Sequence, residues 1–179
     1  MELDYEISDA VPTDAEALLA VKDACWREAY AHLLPAEFLA HGLGGSPDRT
    51  ERWRGFLAHD AAGHFALVRR HGRVVGFAGA GPARPQDAPP QAEGDPGLRE
   101  LYTAYILAEM YGTGAGMAVV ERVLGDGPAI LWVFEDNPRA RAFYAKLGFT
   151  PDGGRKLDEI GGRRLAEIRM ARSAQSRTV

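Results

Sequence analysis

Glycine occupies every second position at Gly112, Gly114 and Gly116, and the residues that follow at once have the spacing of a buried helix. Apolar residues recur at positions 116, 119, 120, 123 and 124, which lie on one helical face. Glycine inside a helix costs about 0.5–1 kcal/mol relative to alanine, so this placement needs a physical reason. Because the first amides of a helix lack intrahelical partners, bare backbone here favours binding of an anion such as phosphate. A tight turn that needs glycine for its geometry alone is the alternative.

Strand-like segments lie on both sides of this predicted helix. Residues 100–107 and 129–135 are rich in apolar, aromatic and β-branched side chains. The order of strand, glycine-rich turn, helix and strand predicts two parallel strands joined by a crossover. Another helix follows, since Asn137 suits an N-cap, Pro138 suits the first helical position and Gly148 suits the position after the C-cap.

Two hairpins are predicted outside this region. His71-Gly72 separates two strand-like segments, and Gly161-Gly162 separates another two. Residues 81–97 contain five prolines and are predicted to form a surface loop. Together these elements predict an α/β (α+β) fold with a single mixed, mostly antiparallel twisted sheet flanked by helices. We expect one domain over residues 1–172 and a short C-terminal tail over 173–179.

Composition excludes several classes of protein. The net charge of −4 argues against a nucleic-acid partner, whose binding surface would be basic. The single cysteine, Cys25, excludes an internal disulfide framework, and the five histidines show no metal-ligand spacing, so no metal is expected. No apolar segment approaches the roughly 20 residues of a membrane span, and the first residues do not resemble a signal peptide. We therefore expect a cytoplasmic protein with no membrane partner.

The glycine spacing does not match either common nucleotide motif. A P-loop needs four residues between its glycines and then Gly-Lys-Ser/Thr, which the chain lacks. A dinucleotide fingerprint would need glycine at position 117, which is Met117. A nucleotide-binding protein on an unrelated α/β fold is therefore disfavoured.

The segments "YILAEMYGTGAGMAVVERVL" and "LWVFEDNPRARAFYAKLGF" together resemble the GCN5-related N-acetyltransferase (GNAT) family. That family has a strand, then Arg/Gln-x-x-Gly-x-Gly/Ala, a second strand, and Asn followed seven residues later by Tyr, ending in Leu-Gly-Phe. The match is close over residues 98–172 and looser before them. Tyr111 replaces the family's usual Arg or Gln, and Gly112 and Met117 stand at positions that are often basic.

The resemblance implies an acyl-CoA N-acyltransferase fold and acetyl-CoA as co-substrate. Backbone amides of the glycine-rich loop would bind the pyrophosphate, and the end of the preceding strand would bind the pantetheine arm and the acetyl carbonyl. The implied cofactor-binding residues are Ala104, Tyr105, Ile106, Gly112, Thr113, Gly114, Ala115, Gly116, Met117, Asn137 and Tyr144. Asn137 also has a sufficient structural role as an N-cap, so its contact with the cofactor is left open.

The resemblance also implies two catalytic residues. Tyr144 matches the family's general acid, which protonates the CoA sulfur, and the alternative is a core tyrosine beside Phe143. Glu100 lies six residues before Ile106, where histone-type members carry their glutamate base. A polar residue that merely starts a strand is the alternative for Glu100. Glu135, Asp136 or ordered waters could also accept the proton.

The expected function is transfer of the acetyl group from acetyl-CoA to a primary amine by direct attack in a ternary complex. The amine acceptor is either a small molecule or a protein amine, and assembly into a homodimer is left open. A non-catalytic acyl-CoA-binding or regulatory module is the alternative. Only the Tyr111 replacement supports that alternative, and the retained Tyr144 counts against it.

Overall fold

A computed structural model of the chain describes residues 4–42, 47–59, 63–92 and 95–174. Within these ranges the chain forms seven strands, four α-helices and several short helical turns. The strands are β1 (Glu6–Asp9), β2 (His64–Arg70), β3 (Arg73–Pro82), β4 (Arg99–Ile106), β5 (Ala129–Phe134), β6 (Thr150–Ile160) and β7 (Arg163–Arg172). The α-helices are α1 (Ala15–Tyr30), α2 (Pro47–Ala58), α3 (Ala115–Leu124) and α4 (Pro138–Lys146).

The strands form one mixed sheet in the order β1-β2-β3-β4-β5-β7-β6. β4 and β5 are parallel, with Arg99 opposite Ala129 and Leu101 opposite Leu131. β1 and β2, β5 and β7, and β6 and β7 are antiparallel pairs. The predicted fold class, a mixed sheet with helices between its strands, is confirmed.

Both predicted hairpins are present, and their turns have the expected backbone. His71 and Gly72 have φ values of 50° and 78°, and Gly161 and Gly162 have φ values of 57° and 72°. Two-residue hairpin turns of type I′ need positive φ at both central positions, which glycine adopts without steric cost. These local requirements explain why the hairpins could be predicted from sequence.

The chain divides into two compact units. One contains Met1–Gly79 and Thr103–Val123, and the other contains Ala80–Tyr102 and Leu124–Val179. The prediction of a single domain over residues 1–172 stays a prediction.

The first unit has an apolar core between α1 and the strands β2 and β3. Its buried members are Leu18, Val21, Cys25, Leu67 and Phe77. Cys25 is therefore a core residue, as its apolar neighbours suggest. In the second unit, buried side chains of β5 and of the segment after α4 form the core, including Ile130, Leu131, Leu147 and Phe149.

Replacing Phe77 by alanine is expected to lower the free energy of unfolding by about 3–5 kcal/mol, because the fully buried ring leaves a cavity. Its ring centroid lies 5.6 Å from that of Trp53 and 5.4 Å from that of Tyr105, so the cavity cannot close without moving two aromatic rings. Urea denaturation followed by circular dichroism measures the loss. Phe56 is 55% exposed, and Phe56→Ala should change stability by no more than about 0.5 kcal/mol. Equal losses in the two variants would contradict this assignment of the core.

Candidate active site

The glycine-rich loop joins a 3₁₀ turn, Ala108–Met110, to the start of α3 and is exposed. Gly112 and Gly114 have φ values of 79° and 87°, which side chains rarely allow. A Cβ atom at Gly112 would meet nothing within 4 Å, and one at Gly114 would meet only the Tyr5 hydroxyl, at 3.7 Å. The two glycines therefore serve the backbone conformation, and the space beside them is open to a ligand.

Thr113 ties this loop together through its side chain. Its Oγ1 donates to the carbonyl oxygen of Met110 at 2.8 Å and accepts from the amide of Ala115 at 3.3 Å. A hydroxyl has one proton, so Thr113 in this arrangement cannot also donate to a phosphate. The amides of Gly116 and Met117 lie in the first turn of α3, where backbone N–H groups have no intrahelical partner and the helix dipole is positive.

The apolar face predicted for α3 is confirmed, because Val119, Val120, Val123 and Leu124 are all buried. Packing of this face fixes the position of the helix and therefore the direction in which its first amides point. Only Gly116 of the three glycines lies within α3, so the loss of helix stability is confined to the first turn.

The end of β4 has a backbone edge that β5 does not cover. In the described part of the chain, the ladder between β4 and β5 ends at Leu101 opposite Leu131, while β4 continues to Ile106. On its other side, this end of β4 lies very close to the backbone of β3. A Cβ atom at Gly76 of β3 would lie only 2.9 Å from the carbonyl oxygen of Tyr105. An extended ligand can add to an uncovered strand edge through backbone hydrogen bonds, which is the role predicted for Ala104, Tyr105 and Ile106.

The side chain of Tyr105 is held inside the first unit. Trp26 Nε1 donates to its hydroxyl at 2.8 Å, and the Trp26 ring packs edge-on against Tyr30, with centroids 5.0 Å apart. Burial raises the pKa of Tyr105 to about 12, so its hydroxyl is protonated near neutral pH. Tyr105 thus anchors this end of β4 to α1 through a neutral hydrogen bond.

Glu100 lies in the second unit and has a cationic partner, Arg84, that the sequence pattern does not identify. The residue is only 1% exposed, and its carboxylate accepts 3.1 Å hydrogen bonds from Nε and from the backbone amide of Arg84. Arg84 Nη2 also contacts the other Glu100 oxygen, and Arg84 Nε lies 3.1 Å from Asp87 Oδ2. Hydrogen bonding to Glu100 raises the pKa of Arg84. Direct proton transfer to Glu100 therefore requires Arg84 to release one of the carboxylate oxygens.

The proline-rich segment is predicted to be a surface loop, and most of its described residues are exposed. Asp87 is an exception, because it is 5% exposed and Lys156 Nζ lies 3.3 Å from its Oδ1. The Arg84 side chain is half-exposed, at 50%, and connects the buried acids to the surface. A glutamate inside a strand rich in apolar and aromatic residues signals that a cation must lie nearby, because an unpaired buried charge is too costly. The signal does not say which cation it is.

The alternative bases differ in their surroundings. Glu135 Oε2 accepts a 2.9 Å hydrogen bond from Arg155, and the Glu135 backbone carbonyl accepts from Arg141 at 3.2 Å. Asp136 is exposed. Glu135 and Asp136 come directly after the end of β5. Both are more exposed than Glu100.

The helix that contains Tyr144 begins and ends as predicted. Asn137 Oδ1 accepts from the amide of Ala140 at 3.0 Å, Pro138 is the first helical residue, and Gly148 has a φ of 84°. Tyr144 is half-buried, and its ring centroid lies 5.3 Å from that of Phe143 and 6.2 Å from that of Phe149. The capping role of Asn137 is confirmed, whereas its contact with a cofactor and the acid role of Tyr144 stay predictions.

The described ranges lack the features of two other kinds of site. They contain no group of three or more His, Cys, Asp or Glu side chains arranged to hold a metal ion. They also contain no helix that is both long and apolar enough to cross a membrane.

Known proteins are similar to this chain in sequence and in fold. The sequence profile of the Acetyltransferase (GNAT) family matches residues 15–149. An uncharacterised N-acetyltransferase of Bacillus subtilis is 28% identical over 90% of this chain and 89% of its own length. One from Mycobacterium bovis is 30% identical over 80% of this chain and 87% of its own.

Among solved structures, the PaiA N-acetyltransferase of Thermoplasma acidophilum, in complex with coenzyme A, superposes with a TM-score of 0.68 at 18% identity. The superposition covers 97% of this chain and 99% of that one, so the two share a fold. The family profile spans β2 to β5, the glycine-rich loop and α4 described above. The chain belongs to the acetyltransferase (GNAT) family and is an acyltransferase by class.

Proposed function

We propose that this chain transfers the acetyl group of acetyl-CoA to a primary amine by direct attack in a ternary complex. The observation that carries the proposal is the loop before α3 in a member of an acetyltransferase family. Its glycines adopt positive φ, and open space surrounds them. A loop of this kind presents backbone amides to an anion without side chains in the way.

In this proposal the amides of residues 112–117 bind the pyrophosphate of acetyl-CoA. Since the amide of Ala115 already donates to Thr113, the amides of Gly112, Gly114, Gly116 and Met117 are the better donors. The uncovered edge of β4 at residues 104–106 pairs with the pantetheine arm. Tyr111 provides no positive charge where relatives often have one, so backbone amides carry most of the phosphate binding.

Two proton transfers by this chain accelerate the proposed chemistry. The acceptor must attack as a neutral amine, and deprotonating an amine of pKa 10.4 at pH 7 costs roughly 4–5 kcal/mol without a base. Glu100 takes this proton, either when Arg84 releases an oxygen or through a water molecule. As the nitrogen–carbon bond forms and the carbon–sulfur bond breaks, the Tyr144 hydroxyl donates a proton to the leaving sulfur. The attacking nitrogen loses its second proton as it becomes the amide, and a proton from solvent restores the Tyr144 hydroxyl.

The acceptor is proposed to be a small-molecule amine or a protein amine, encountered in the cytoplasm. An assay of thiol release from acetyl-CoA with a broad panel of amines tests the function. Small amines, amino acids and peptides with free N-termini or lysines represent the acceptor classes. Amine-dependent thiol release supports the proposal. Thermal stabilisation by CoA with no turnover on any amine would instead favour the non-catalytic acyl-CoA-binding module.

Replacing Glu100 by glutamine is expected to lower kcat about a hundredfold, because the amide cannot accept the amine proton. Arg84→Gln breaks the same ion pair but keeps the carboxylate, so it should lower kcat less than about tenfold. Arg84→Gln should lose more free energy of unfolding than Glu100→Gln, because it leaves a buried carboxylate unpaired, whereas Glu100→Gln leaves a half-exposed guanidinium that water can solvate. Steady-state kinetics and urea denaturation of the two variants give the comparison. Equal kcat losses in both would show that Glu100 acts through stability alone.

A further inference from the structure

The outer edge of β6 has a regular segment with no neighbour in the described part of the chain. β6 is the last strand of the sheet and pairs only with β7. Its pairing is regular from Arg155 opposite Ile168 to Ile160 opposite Arg163, and a register shift separates Arg155 from Pro151. This edge therefore presents six regular residues between an irregularity and a hairpin turn.

The hairpin turn determines which backbone groups point outward. Ile160 and Arg163 flank a two-residue turn, so they form a hydrogen-bonded pair, and such pairs alternate along an antiparallel ladder. It follows that Arg155, Leu157 and Glu159 direct their N–H and C=O groups away from β7. Their side chains share one exposed face of the sheet, and Leu157 is 50% exposed.

The charged residues on either side of Leu157 are opposite in sign, Arg155 and Lys156 before it and Asp158 and Glu159 after it. A twofold axis through Leu157 would place Arg155 of each copy opposite Glu159 of the other. The same axis would place Lys156 opposite Asp158. Axes through Lys156 or Asp158 would instead place identical charges opposite each other, which destabilises strand pairing. Charge therefore selects the register centred on Leu157.

We propose that β6 pairs antiparallel with β6 of a second copy of this chain, with the twofold axis at Leu157. Exposed charges on edge strands commonly prevent such pairing. Here their signs are complementary to an identical strand, so they favour it. Arg155 already contacts Glu135 Oε2 at 2.9 Å, but a guanidinium has five N–H donors and can bind both carboxylates. The outward backbone groups of Arg155, Leu157 and Glu159 would then pair as they do inside a sheet.

Sedimentation equilibrium over a range of protein concentrations tests the proposal. The wild-type chain is expected to approach about twice its 19.4 kDa mass. Arg155→Glu and Glu159→Arg each place like charges opposite one another twice, so each should weaken dimerisation roughly tenfold or more. The double variant exchanges the two charges and should recover the dimer. Arg54→Glu makes the same charge change on the exposed side of α2 and should leave dimerisation unchanged.

Circular dichroism of each variant verifies folding, and the double variant keeps the test informative if one single variant is unstable. A wild-type chain that stays monomeric up to about 0.5 mM would overturn the proposal. So would an Arg155→Glu variant that dimerises like the wild type, or a double variant that stays monomeric. Activity is not needed for any of these measurements, so the result is independent of the proposed acetyl transfer.

Discussion

Tyr144→Phe is expected to lower kcat by about 10²–10⁴-fold, because the variant lacks the hydroxyl that protonates the leaving sulfur. The thiol of CoA has an ordinary pKa near 8.5, so its thiolate can leave without a proton and some activity should remain. Phenylalanine keeps the ring contacts with Phe143 and Phe149, so folding and CoA affinity should change little. Steady-state and single-turnover kinetics measure the loss in the chemical step.

Tyr30→Phe is the matched control for the loss of a tyrosine hydroxyl. Tyr30 packs against Trp26 on α1 and has no role in the proposed chemistry. Its variant should keep kcat within about threefold of the wild type. A Tyr144→Phe enzyme that also stays within that range, with chemistry shown to limit the rate, would mean that Tyr144 is a packing residue.

Gly114→Val is expected to weaken CoA binding by roughly 10²–10⁴-fold. Valine at a φ of 87° is strained, and its side chain would occupy the open space beside the loop amides. Loss of two hydrogen bonds to a charged phosphate, each worth about 1.5–3 kcal/mol, corresponds to that range. Isothermal titration calorimetry with CoA gives the affinity of each protein.

Gly125→Val provides the control for backbone strain. Gly125 also has a positive φ, 64°, and a Cβ there would meet nothing within 4 Å. It follows the last residue of α3, whereas Gly114 precedes the first. Its variant should lose stability without losing CoA affinity. If a folded Gly114→Val protein binds CoA as tightly as the wild type, the loop is not the cofactor site.

Local patterns predicted the elements of the candidate site well. Alternating glycines before an apolar helical face, the Asn137 cap and the Gly161-Gly162 turn each act within a few residues of chain. Their positive φ values, capping hydrogen bond and buried helix face are all present. Such features depend on backbone sterics and nearest neighbours, which the order of residues specifies directly.

The resemblance to the family assigned catalytic and cofactor-binding roles to individual residues. It could not predict which side chains surround each of them. Glu100 was predicted as a base from its spacing to Ile106. The structure adds that its carboxylate is buried and bound by Arg84. Thr113 was likewise predicted to bind the cofactor. The structure adds that its hydroxyl donates a hydrogen bond to the carbonyl oxygen of Met110 within the loop.

The sequence by itself determined where strands, helices and tight turns form, because these depend on preferences that act over a few residues. Only the tertiary structure decided which of the 21 lysines and arginines neutralises Glu100. It also decided where the β4–β5 ladder ends and that β6 lies at the edge of the sheet. Arg84 and Glu100 are 16 residues apart in the chain, and Asp87 and Lys156 are 69 apart. Pairs so distant in sequence meet only because the sheet brings their segments together, and burial then makes each charge require a partner.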